Sequence, residues 1–172
     1  MNGVLPNQEI EKLIEVGSIT SDVPIDPEQI QPASLDLRLS GKAFRIRASF
    51  LPGSREKVED RLKSLKMHEI DLRDGAVLEK GCVYLVPLLE ELNLSQDIQA
   101  AANAKSSTGR LDLLTRVITN SGEEFDRVSS GYCGKLYAEI CPRSFSVLVR
   151  QGMKLNQIRF RNKNTTLNDE DL

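Results

Sequence analysis

The stretch Gly134-Lys135-Leu136-Tyr137-Ala138-Glu139-Ile140-Cys141 decides the fold. Its aromatic, β-branched and small apolar members favour a buried or half-buried strand. Period-two alternation sets Leu136, Ala138 and Ile140 on one face and Tyr137 and Glu139 on the other. Outward from it the same signature repeats. Residues 35–39, 43–50, 67–72, 82–87, 113–118, 144–149 and 157–160 read as short strands separated by turn residues. Two helices interrupt them. Ile10, Leu13 and Ile14 recur at helical spacing over 6–16, with Gly17 placed to end the element, and Val58, Leu62 and Leu65 do so over 54–66, after Pro52-Gly53. Many short strands with two short peripheral α-helices predict a mainly β chain: an antiparallel sandwich, jelly roll or barrel. A doubly wound sheet needs more helices.

The 172 residues suit one ordinary domain, and with 40% hydrophobic residues there is enough apolar matter for a core. A net charge of −2 provides no field that gathers nucleic acid or an anionic membrane, so an anionic ligand must be met locally. Cys82, Cys133 and Cys141 form no C-x-x-C pair and His68 is the one histidine, which nearly excludes a Cys/His zinc site. Chemistry must then rest on carboxylates, hydroxyls, basic groups or water. An odd cysteine count fits free thiols in a reducing cytoplasm. Residues 1–6 carry no signal-peptide pattern, and apolar stretches such as 83–89 are too short to span a bilayer. A soluble, cytoplasmic protein is expected, with residues 1–160 as its domain and 161–172 as a polar tail or the start of a linker.

Three groups of residues invite chemistry. Ala104-Lys105-Ser106-Ser107-Thr108-Gly109-Arg110 joins two cations, three hydroxyls and a glycine between strand-like runs. Such a loop can donate to phosphoryl oxygens and neutralise their charge, although it lacks the Walker spacing and also reads as a solvated hairpin tip. Glu139 either points to solvent or lines a pocket, where desolvation would suit it to proton transfer. Asp36 and Arg38 share a strand face, which implies an ion pair or turn bond supporting a sheet. His68 has no companion at ligand spacing and is given no role.

Four ordered motifs resemble those of the dCTP deaminase and dUTPase superfamily. They are Ile30-Gln31-Pro32-Ala33-Ser34-Leu35-Asp36-Leu37-Arg38-Leu39, Lys105-Ser106-Ser107-Thr108-Gly109-Arg110, Gly131-Tyr132-Cys133-Gly134-Lys135-Leu136-Tyr137-Ala138-Glu139 and Gly152-Met153-Lys154-Leu155-Asn156-Gln157-Ile158. The resemblance runs over residues 4–160 and is strongest to the amino-terminal half of long, two-part bacterial dCTP deaminases. It extends to Pro6, Ala48-Ser49-Phe50-Leu51-Pro52-Gly53 and Met67-His68-Glu69-Ile70-Asp71-Leu72.

The resemblance implies a dUTPase-like distorted β-barrel or jelly roll, assembled as a homotrimer or higher oligomer with sites at subunit boundaries. Lys105, Ser106, Ser107, Arg110 and Gln157 would meet the substrate, Lys105 standing where many relatives have Arg. Glu139 falls on the position of the family's catalytic Glu, with Arg110 as its companion, and this displaces the solvent-facing reading. The implied reaction is a metal-free hydrolysis of dCTP to dUTP and ammonia. Glu139 takes a proton from the attacking water; there is no intrinsic cofactor, and Mg²⁺ only accompanies the triphosphate. Ser129 stands where dUTPases carry Asp, and Glu139 where they have an aliphatic residue, so both departures favour deamination. Relatives with a compact turn there recognise base and sugar through its Asp; Asp126, after an insertion of about six residues, is the candidate replacement and so a further substrate-binding residue. The rival expectations are a dUTPase, a bifunctional dCTP deaminase/diphosphatase, and a non-catalytic nucleotide-binding half that works with a carboxy-terminal half.

Overall fold

The computed structural model describes residues 3–163. Its strands are β1 (Ile19–Ser21), β2 (Ile30–Gln31), β3 (Ser34–Arg38), β4 (Lys42–Ile46), β5 (Lys66–Asp71), β6 (Ala76–Leu78) and β7 (Val83–Asn93), followed by β8 (Ile98–Ala104), β9 (Leu113–Thr119), β10 (Arg127–Val128), β11 (Cys133–Pro142), β12 (Val147–Val149) and β13 (Lys154–Asn162). The helices are α1 (Asn7–Glu15), α2 (Val58–Leu65) and α3 (Ser106–Gly109). The third was not expected: the polar loop between strands is a single helical turn. β13 also takes in the first two residues assigned to the tail, while 164–172 lie outside the described residues.

All pairings are antiparallel. One sheet runs β5-β4-β7-β11-β9 with β1 added beside β7, a second runs β10-β8-β13-β3-β2, and β12 pairs with β6 in a ribbon. β7 is long because one of its edges serves two partners, β4 along Val83–Leu85 and β1 along Glu90–Leu92. Between the two sheets lies the main core, which takes Leu35, Leu37, Val86, Leu136, Ala138, Ile140, Ile158 and Phe160. Full burial of such side chains, at about 1.5–3 kcal/mol each, is what holds the two sheets together.

Helix α1 buries Ile10 and Leu13 in this core. It stops at Gly17, whose φ of +77° lets the chain turn back while Gly17 and Ser18 donate to the carbonyls of Ile14 and Leu13. No helix among the described residues is long and apolar enough to cross a membrane.

A second, smaller core covers the outer face of the six-stranded sheet. There Val58 and Leu62 of α2, with Phe50, pack on Ile46, Leu85, Ile118 and Tyr137. The face of β11 that carries Tyr137 and Glu139 is therefore covered, and five consecutive residues, 136–140, are buried. Alternation alone had left this face open to solvent. The helix and the segments around it close it.

Charged groups inside the fold are paired. Glu90 is fully buried and accepts from Arg38 Nε at 2.7 Å, from the Arg38 amide at 2.8 Å and from Gln29 Nε2 at 2.8 Å. Arg38 donates onward to the carbonyls of Val23 and Pro24 and to Ser21 Oγ. Asp36 pairs with Lys105 rather than with Arg38, its neighbour on the strand.

Candidate functional site

Glu139 lies near the middle of β11, opposite Arg116 of β9 on one side and Leu85 of β7 on the other. It is 2% exposed, yet it is a carboxylate. Its Oε1 accepts from Arg116 Nη2 at 2.6 Å, and its Oε2 accepts from Ser49 Oγ at 2.6 Å. Arg116 Nη2 also donates to Ser49 Oγ at 3.2 Å, which closes a ring of three hydrogen bonds. The guanidinium lies over the Phe125 ring, 3.7 Å from its centroid, a cation–π contact that uses Arg's planar shape.

Two long segments cover this cluster. Ser49, Phe50 and Leu51 come from the connection between β4 and α2, and Phe125 comes from the connection between β9 and β10. Beside Phe125, Asp126 adopts φ +61° and ties two strands together. Its amide donates to Val117 O, its carbonyl accepts from Ala102 N, and its Oδ1 accepts from Val117 N at 2.8 Å. Burial pushes the Asp126 carboxyl above its ordinary range, while the Val117 amide and the charge of Arg116 pull the other way. Tyr137, next to Glu139 on the same face, is pushed up by burial and by Glu59, so its phenol stays protonated at neutral pH.

The other expected residues form a second group. Lys105 donates to the buried Asp36 through its side chain and to Leu155 O through its amide. Thr108 Oγ1 reaches Leu155 O at 2.8 Å, anchoring the helical turn on β13. Ser106, Ser107 and Arg110 are exposed, and the Arg110 side chain makes no hydrogen bond or ion pair with the described residues. Gln157 sits opposite both Asp36 and Asn103 and donates to Asn103 Oδ1 at 3.5 Å. The hydrogen-bond partners of Glu139 include none of residues 105–110. Within one chain, the cationic hydroxyl-rich turn and the carboxylate are separate groups. Ser129 is exposed on an open polar cavity of ≈ 380 Å³ that also takes in Thr119, Ser121, Glu124 and Arg127. Among the described residues, no three His, Cys, Asp or Glu gather as a metal site.

Ser49, Arg116 and Phe125 were not singled out from the sequence. Arg116 had one available signal, a cation inside an apolar strand, but its partner depends on cross-strand register.

The family model described as the 2'-deoxycytidine 5'-triphosphate deaminase (DCD) N-terminal domain matches residues 1–164. The chain is similar to the crystal structure of 2'-deoxycytidine 5'-triphosphate deaminase from Agrobacterium tumefaciens, with a TM-score of 0.92 and 52% identity. That match covers 98% of this chain and 50% of that one, so the chain spans half the length of its structural relative. It is 31% identical over 158 residues to a protein named dCTP deaminase, dUMP-forming, from Tropheryma whipplei (strain Twist), covering 91% of this chain and 76% of that one. It is 29% identical over 158 residues to the protein of the same name from Beutenbergia cavernae, covering 91% and 78%.

Proposed function

The chain belongs to the family of 2'-deoxycytidine 5'-triphosphate deaminase N-terminal domains, and from that premise we propose that it hydrolyses dCTP to dUTP and ammonia with Glu139 as the proton-transfer group. The observation that carries this reading is the burial of the Glu139 carboxylate, bonded through both oxygens, on a strand whose ladder does not use it. A charge in that position is costly to desolvate, and its use is chemical.

Water adds to C4 of the cytosine ring and gives a proton to Glu139. Glu139 passes that proton to N3; the second proton, from the new C4 hydroxyl, then moves by way of Glu139 to the amine, the C4–N bond breaks, ammonia leaves and the C4 carbonyl remains. The route we propose needs no metal, in keeping with a donor set of scattered cysteines and one histidine; Mg²⁺ travels with the triphosphate. Without a metal to acidify water, the barrier falls through positioning and preorganised donors.

Ser106, Ser107, Arg110, Lys105 and Gln157 are assigned to the nucleotide, with the triphosphate met by the exposed turn. Asp126, expected among the substrate-binding residues, has its Oδ1 engaged by the Val117 amide, which leaves Oδ2 as the oxygen we assign to the nucleotide. Because Arg110 and Glu139 belong to separate groups within one chain, a second copy must bring its turn to Glu139. A homotrimer with sites between subunits satisfies this requirement.

The test is incubation of the purified chain with dCTP and Mg²⁺ while ammonia and uracil nucleotides are followed. Wild type forms dUTP, and Glu139→Gln binds dCTP without turning it over. A Glu139→Gln variant that still releases ammonia overturns the assignment. Formation of dUMP instead of dUTP indicates the dUMP-forming reaction for which the Tropheryma and Beutenbergia proteins are named. Binding with no turnover by wild type indicates a nucleotide-binding half that works with a carboxy-terminal half.

A further inference from the structure

We propose that Arg116 is the positioning residue of Glu139: it holds Oε1 end-on so that Oε2 is the oxygen presented to the substrate's water. The proposal rests on the deaminase reading above, and its starting point is an asymmetry in how the two oxygens are held. Oε1 is bonded to a guanidinium that rises from β9, the edge strand beside β11, and is stacked on Phe125. Among the described residues, Oε2 is bonded only to the hydroxyl of Ser49, an exposed residue on a connecting segment. A charge-assisted bond from a stacked, planar donor is the stronger of the two, and a hydroxyl is readily replaced by another oxygen donor of the same kind. Water entering the site therefore displaces Ser49 from Oε2 and leaves Arg116 in place.

The orphaned Nε of Arg116 supports the same conclusion. It is buried and has no hydrogen-bond partner among the described residues. Arginine facing a carboxylate ordinarily uses two parallel N–H groups, one for each oxygen. Here the fork is turned so that only Nη2 reaches Glu139, at the expense of an unsatisfied N–H. A bidentate pair would occupy both oxygens with a donor that water cannot displace, and proton transfer would have no free acceptor. Stacking on Phe125 sets the angle of the guanidinium plane and so enforces the end-on contact.

The test uses Arg116→Gln, Arg116→Lys and Phe125→Leu in the full chain, with kcat and KM for dCTP measured separately. Arg116→Gln lowers kcat about 100-fold while KM stays within about threefold, the pattern of a misplaced catalytic group with intact binding. Arg116→Lys recovers only part of this, because charge returns without the planar fork. Phe125→Leu, which keeps an apolar side chain in the second core, shows the same kcat-only loss to a smaller extent and covers the case in which Arg116→Gln does not fold. An unchanged kcat, or a rise in KM at constant kcat, overturns the proposal.

A readout without turnover separates its failure from failure of the deaminase reading. With ¹³C at glutamate Cδ, the Glu139 line is the one lost in Glu139→Gln. It is single and sharp in wild type and broadens or splits in Arg116→Gln. An unchanged line overturns the positioning role. A changed line in a protein that does not deaminate dCTP overturns the deaminase reading alone.

Discussion

Asn120 caps a helix that begins 62 residues earlier in the chain: its Oδ1 accepts the Val58 amide at 2.9 Å. The bond is one of three that lace the two covering segments together. The Ser121 amide donates to Glu56 O at 2.9 Å, and the Gly53 amide to Gly122 O at 3.1 Å. Lys57 supplies no side-chain cap of its own at the start of α2. The segment that carries Ser49 and the segment that carries Phe125 are thereby joined over Glu139.

Asn120→Ala should lose about 1 kcal/mol, the usual worth of a helix N-cap, in urea unfolding. Amide exchange over residues 53–62 should quicken, while exchange of β13, on the other sheet, stays as in wild type. Equal acceleration everywhere would show that the lacing has no local effect.

The Arg38–Glu90 pair makes a stronger claim on stability. Arg38→Met leaves a fully buried carboxylate without its cation and releases the Val23 and Pro24 carbonyls. Loss of one partner of a buried pair costs about 3–5 kcal/mol, so the variant should unfold at a much lower urea concentration. The double variant Arg38→Met, Glu90→Leu should recover much of the difference, since no uncompensated charge remains. If the double variant is no better than the single, the loss lies in the carbonyls and not in the charge.

What was legible in the sequence follows from the range of the forces involved. The strand around Glu139 and the helix over 6–16 rest on local alternation and periodicity, and both stand where the residues place them. β8 was missed because Gln99-Ala100-Ala101-Ala102-Asn103 contains no β-branched or aromatic residue; pairing with β13 and β10 overrides its local preference. β7 was cut at Pro87 because proline and two glutamates look like an ending, yet Glu90 can continue inward once Arg38 meets it. Among site residues, Glu139, Ser106 and Arg110 came from motifs. Arg116, Ser49 and Phe125 meet through register and loop packing, which one sequence does not encode locally.

Asp126 gives the fold a pH dependence of known sign. Its carboxyl is raised by burial, so the folded chain keeps that proton to higher pH than the unfolded chain does. Its contribution to stability is fully present below about pH 4, the ordinary Asp value, and is lost as pH rises through the raised folded value. Asparagine keeps an acceptor for the Val117 amide, carries no charge and tolerates positive φ. Asp126→Asn should therefore be flatter in melting temperature over this window and at least as stable as wild type at neutral pH. Asp126→Ala should lose about 1–3 kcal/mol by orphaning that amide. A steeper profile for Asp126→Asn would reverse the sign assigned here.

Lys105 carries two duties that a single substitution confounds. Its ammonium meets Asp36, which is 2% exposed and whose Oδ1 has no hydrogen-bond partner among the described residues. Its place before Ser106 also makes it a phosphate ligand in the proposed reaction. Lys105→Met strands the Asp36 charge, so a loss of activity could reflect destabilisation by about 3–5 kcal/mol rather than lost substrate contact. Asp36→Asn removes that charge first. In the Asp36→Asn background, Lys105→Met should cost little stability, and the rise in KM for dCTP that remains measures the phosphate contact alone. A KM unchanged from that of Asp36→Asn would assign Lys105 wholly to the support of β3 and leave the triphosphate to Arg110 and the two serines.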